Sequence, residues 1–71
     1  MDIGSAVAKM RAGCRVARQG WNGKNMWIRI QDPDRNSMMT ESYVYMFTAQ
    51  GGRIPWLCSQ ADLLANDWIV V

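Results

Sequence analysis

Histidine is absent from this chain, and cysteine and proline occur only twice each. Without an imidazole there is no Ser-His or Cys-His pair, which removes the commoner nucleophile–base arrangements of hydrolases. Cys14 and Cys58 cannot by themselves complete a four-ligand zinc site. No secretory leader precedes Cys14, so a reducing compartment is expected, with both thiols serving as small buried packing groups. No apolar run approaches the roughly 20 residues of a membrane span, so no membrane partner is expected. Trp21-Asn22-Gly23-Lys24 is too short for a phosphate loop of the Walker type. Carboxylates do not fill the gap. Asp32, Asp34 and Glu41 fall in a polar connector, and Asp62 and Asp67 stand five residues apart near a short helix, off any dependable common face. Neither an enzyme nor a resident metal or cofactor is expected.

What the chain has in excess is tryptophan and methionine, four and six in 71 residues. One domain spanning residues 1–71 fits that length, and a core so small is marginal alone. Indole and thioether groups beyond the needs of one small core are typical of surfaces that meet a partner or a ligand, so self-association is expected. Charge is also unevenly spread. Residues 1–29 carry Lys9, Arg11, Arg15, Arg18, Lys24 and Arg29 against Asp2 alone, while the remainder carries Arg35 and Arg53 against Asp32, Asp34, Glu41, Asp62 and Asp67. Such a split suits an anionic ligand, two faces meeting across a subunit boundary, or plain solvated charge.

Asp2 is a good N-cap, and Ile3, Ala6, Val7 and Met10 recur at the spacing of one helical face. Gly13 supplies the stop, so a helix over about 3–12 is predicted. Short strands are predicted at 14–18, 26–30, 42–48, 53–56 and 68–71, with a turn around Trp21 and a hairpin at Gln50-Gly51-Gly52. Pro55 directs its strand to an edge. Ser59 is a second N-cap, opening a brief helix at 60–65. The order α-β-β-β-β-α-β predicts a small α+β domain on an antiparallel sheet. Bulky residues on both sides of 42–48 predict core on one face and a partner or ligand on the other. Trp68 is expected in the core and Trp27 on the outer sheet face or at a subunit interface. Trp21 and Trp56 are balanced between packing and base stacking, each stacked base contributing about 1–3 kcal/mol.

Three stretches together carry a resemblance. They are Asp2-Ile3-Gly4-Ser5-Ala6 with Ala12-Gly13 and Val16-Ala17-Arg18 running into Gly20-Trp21-Asn22-Gly23-Lys24; Thr48 to Gly52 with Pro55-Trp56-Leu57, Ser59-Gln60 and Asp62-Leu63-Leu64; and Asn66-Asp67-Trp68. As an ordered set spanning nearly all of the chain outside 31–41, they resemble the Thoeris anti-defence protein two family of small phage and prophage proteins. The resemblance implies binding of cyclic ADP-ribose isomers, or in some members cyclic oligonucleotides, held without degradation so that a defence effector stays inactive. It implies a homo-oligomer, a tetramer more readily than a dimer, with pockets between subunits, in the cytoplasm of the infected bacterial host. Carried over by position, the ligand-binding candidates are Trp21, Asn22, Lys24, Trp56, Ser59, Gln60 and Asp62. By residue chemistry the indoles stack on adenine, Asn22 and Gln60 hydrogen-bond, Lys24 and Arg18 face phosphate, and Asp62 accepts from ribose hydroxyls. This chain departs from many relatives in having only Gln31 to Glu41 between its second and third strands, where they carry a longer insertion. The competing readings are a hydrolase with Asp62 or Asp67 as base, a single-stranded nucleic-acid binder, and a ligand-free structural oligomer whose tryptophans are all core or interface.

Overall fold

Asp2 begins the first helix as its sequence promises: its Oδ1 accepts from the Ser5 N–H at 2.8 Å, satisfying one of the orphan donors of the first turn. The computed structural model describes residues 1–21 and 25–71. Its elements are α1 (Ile3–Arg11), β1 (Val16–Arg18), β2 (Trp27–Gln31), β3 (Tyr43–Phe47), β4 (Arg53–Pro55), α2 (Gln60–Leu63) and β5 (Trp68–Val70). Gly13 follows α1 with φ at 95°, a left-handed conformation that a side chain would strain. A second left-handed glycine, Gly51 at φ 87°, closes the β3–β4 hairpin, where the Thr48 N–H donates to the Gly52 carbonyl at 2.8 Å.

The five strands form one antiparallel sheet in the order β4-β3-β2-β1-β5. The fold is therefore α+β. Both edge strands are three residues long, and Pro55 sits on one of them, where its missing N–H costs no ladder bond. Register places Val70, Val16, Ile28, Met46 and Ile54 in one row across the sheet. Val16 and Ile28, at its middle, are fully buried, whereas Val70 and Ile54 at its ends are about half exposed. The row is apolar throughout, but only its centre is roofed: α1 packs Ala6 and Met10 against Val16, Ile28 and Trp68.

The opposite face of the sheet carries Trp27 and Phe47, directly paired, with ring centroids 5.2 Å apart and planes 9° from parallel. The Arg15 guanidinium lies 5.0 Å from the Trp27 ring centre and that of Arg53 lies 5.5 Å from Phe47, so cations flank the two rings. Trp27 thus lies on the outer face, as its alternation predicts. The large outward residues of β3 are half-buried against these neighbours on their own sheet. Both cysteines are free and half-buried, less enclosed than the buried packing groups expected of them. Among the described residues no helix is long and apolar enough to cross a membrane.

Candidate functional site

Trp68 opens β5 and is 1% exposed, the largest fully buried side chain of the core. Two other indoles meet it edge-on. Trp21, just beyond β1, lies 5.3 Å away at 79°, and Trp56, just beyond β4, lies 6.0 Å away at 87°. Such T-shaped pairs set the electropositive ring edge against the electron-rich face, adding about 0.5–1.5 kcal/mol each beyond area burial. Trp21 and Trp56 are therefore partly core residues, each half-buried against the core cluster.

Asp62 ties this aromatic group to α2. Ser59 caps that helix, its Oγ accepting from the Asp62 N–H at 3.1 Å. The Asp62 carbonyl in turn accepts from Trp68 Nε1 at 3.0 Å. Its carboxylate Oδ1 takes two donors, Trp21 Nε1 at 3.1 Å and Arg18 Nη1 at 2.8 Å. Arg18 reaches a second acid, donating from Nε to Asp67 Oδ1 at 2.8 Å. The side chains of Arg18 and Asp62 are 21% and 14% exposed, so this is a partly buried network. Burial pushes the Asp62 carboxyl up, but hydrogen bonds from Arg18, Trp21 and Ser59 outweigh it and leave the group below the usual carboxylate range. Asp67 is lowered by its bond from Arg18 first, against burial, and further by the Gly20 N–H. Arg18 is raised in turn, by Asp67 and then Asp62.

The structure therefore brings together Arg18, Trp21, Trp56, Ser59 and Asp62 out of the candidates. Asn22 and Lys24 lie outside the described residues. Gln60 opens α2 on its exposed side, and no hydrogen bond ties it to the cluster among the described residues. Arg18 was expected to face phosphate. Its guanidinium is engaged by two carboxylates of its own chain, so the basic first half and the acidic second half meet within one subunit. Ser59, a ligand-binding candidate that was also expected to cap a helix, does cap α2, and its oxygen holds the Asp62 backbone in place. Beyond their place in the stretches that carry the resemblance, Asp67 was expected only as a hypothetical base and Trp68 as core, yet these two residues anchor the site. No local feature pairs Asp67 with Arg18 or Gly20, which lie 49 and 47 residues away in the chain. An open cleft of about 410 Å3 between α1 and the β2–β3 pair, lined by Met10, Arg29 and Tyr43 among others, contains none of the candidate residues.

The profile of the Thoeris anti-defense 2-like domain family matches residues 1–71, the whole chain. The chain belongs to that family. It is also 31% identical to the Thoeris anti-defense 2 protein of Bacillus phage SP01, over an alignment of 84 positions covering 100% of this chain and 94% of the relative. The alignment is longer than the chain, so the phage protein has residues with no counterpart here. Membership of this family supports an anti-defence role.

Proposed function

We propose that this chain is a sponge: a non-catalytic protein that binds a cyclic ADP-ribose-type signal, or a related cyclic nucleotide, and holds it unchanged so that a defence effector is not activated. The observation that carries this reading is the position of Trp21, half-buried between Trp68 and the Asp62 carboxylate, in a chain of the Thoeris anti-defense 2-like family. A preset indole beside a carboxylate that stays ionised suits a nucleoside, with the ring stacking on the base and the acid accepting from ribose hydroxyls. Asn22, Lys24, Trp56, Ser59 and Gln60 complete the proposed contacts. Asp62 and Asp67 both lie below the usual carboxylate range and are already engaged by Arg18, which makes them weak bases near neutral pH and favours holding over hydrolysis. The ligand pocket is completed by a second copy in a homo-oligomer, a tetramer more readily than a dimer. Leu57 and Leu64, 92% and 76% exposed on either side of α2, are apolar surface that an interface beside the site would cover. The setting is the cytoplasm of an infected bacterial host.

Calorimetric titration with cyclic ADP-ribose isomers, alongside cyclic di- and trinucleotides, tests this. Tight binding near one ligand per two chains, with the ligand recovered chemically unchanged after heat denaturation, is expected. No heat with any of them refutes sequestration, and recovery of a hydrolysed product refutes the non-catalytic mechanism. The flanking of Trp27 and Phe47 by Arg15 and Arg53 favours single-stranded nucleic acid as a second reading. It ranks lower because guanidinium groups and the neighbouring ring already take up the ring faces a base would need. Its mark would be a steep loss of affinity with salt.

A further inference from the structure

Asp67 grips the segment leading to Trp21 at three successive residues. Its carboxylate accepts from Arg18 Nε at 2.8 Å and, through Oδ2, from the Gly20 N–H at 2.8 Å, while its carbonyl accepts from the Gln19 N–H at 3.1 Å. The approach to Gly20 is close enough to explain the glycine: a Cβ built there would stand 2.9 Å from Asp67 Oδ2 and 3.5 Å from Arg18 Nη2. Trp21 is the next residue, and its own N–H donates back to the Arg18 carbonyl at 3.2 Å, so the turn closes on the residue that Asp67 holds. Arg18 extends the grip to α2 through Asp62, the acid that also receives the Trp21 indole N–H. Asp67 thus sets both ends of the Trp21–Asp62 contact without being part of it.

We propose, on the basis of the sequestration reading above, that Asp67 is the positioning residue of the ligand site: through Arg18 and the Gly20 N–H it presets Trp21 against Asp62 before ligand arrives. The physical gain is preorganisation. If Trp21 occupied its site-competent place only a fraction of the time, apparent affinity would fall by that fraction, and the loss would appear in association rather than in dissociation. A carboxylate is required because two donors on different residues must be accepted at once by two oxygens. Asparagine keeps the shape but offers one acceptor oxygen and turns the other contact into an NH2 facing a donor.

Asp67→Asn separates positioning from mere support of the fold. In 15N-labelled protein the Trp21 indole N–H, assigned by its loss in Trp21→Phe, is expected to shift and broaden in Asp67→Asn, while the Trp27 indole, on the opposite face of the sheet, keeps its position. Titration with the cyclic ADP-ribose isomer that binds the wild type is expected to give an apparent Kd weaker by about tenfold, for a competent fraction near one tenth, with the association rate carrying the change. Gly20→Ala, which pushes on the same contact with the carboxylate retained, is expected to move the same signals in the same direction and serves where Asp67→Asn does not fold. An unmoved Trp21 indole with affinity within about twofold of wild type, in whichever of the two variants folds, overturns the proposal. A wild-type protein that binds none of the cyclic probes instead defeats the sequestration reading. The indole spectra then still decide whether Asp67 positions Trp21.

Discussion

Replacing Trp21 by phenylalanine keeps an aromatic ring near Trp68 and removes one donor, the indole N–H that reaches Asp62 Oδ1 at 3.1 Å. Hydrogen bonds to charged groups contribute about 1.5–3 kcal/mol. Arg18 continues to satisfy the same oxygen, so the lower end applies and a loss of about 1.5 kcal/mol is expected. Trp21→Ala removes the ring as well. Fully buried tryptophans cost about 3–5 kcal/mol on truncation, and Trp21 is only half-buried, so about 3 kcal/mol is expected for that variant. In a domain of this size each kcal/mol moves the melting point by about 4–8 °C, placing Trp21→Phe roughly 6–12 °C and Trp21→Ala roughly 12–24 °C below wild type. A chain of 71 residues commonly has about 4–10 kcal/mol in total, so the alanine variant approaches the limit of folding, and loss of ligand binding in it says little about contact with ligand. The phenylalanine variant is the informative one. Urea unfolding at 25 °C, read by far-UV circular dichroism with a common m-value, gives the two differences directly. If both variants lie within about 0.5 kcal/mol of wild type, Trp21 does not bridge Trp68 and Asp62 in solution, and the site geometry described above is wrong.

Burial along the single apolar row predicts a graded response: Ile28→Ala, at the fully buried centre, is expected to cost about 3 kcal/mol, and Ile54→Ala at the 51% exposed end less than about 1, compared by the same urea unfolding. Acid should undo the Arg18 network. Asp62 and Asp67 have folded pKa values below their unfolded ones, so their stabilisation is present above about pH 4 and is lost as pH falls through the lower folded values. The urea midpoint should therefore drop from pH 5 towards pH 2, and Asp67→Asn should show a shallower drop; equal slopes would refute the assignment. Burial, and then the Asp62 charge, pushes the Cys58 thiol up, so iodoacetamide at pH 8 should alkylate it more slowly than free cysteine, as followed by mass spectrometry of the intact chain and its peptides.

The candidate site was half legible. Trp21, Trp56, Ser59 and Asp62 were carried over by position from the family resemblance and given roles by their chemistry, and the fold collects them near Trp68. The partners of Arg18 were not legible. With eight cations and six anions in the chain, nothing local selects Asp62 and Asp67, which are 44 and 49 residues away. Nor could sequence choose between packing and stacking for Trp21, because a half-buried indole satisfies both descriptions.

Sequence by itself determined the elements whose causes are local. Asp2 and Ser59 cap their helices with their own side chains, Gly13 and Gly51 adopt the left-handed φ that a stop and a hairpin require, and alternation assigns Ile28 and Trp27 to opposite faces. Tertiary structure decided what depends on distant segments meeting. It inserted β1 between β2 and β5, and so brought Arg18 opposite Trp68 in the sheet. From that one register follow the two ion pairs, the hold of Asp67 on Gly20, and the seating of Trp21 between Trp68 and Asp62. Strand order is set by which nonlocal pairing buries the most apolar surface beneath α1, a sum over the whole chain that no local stretch contains.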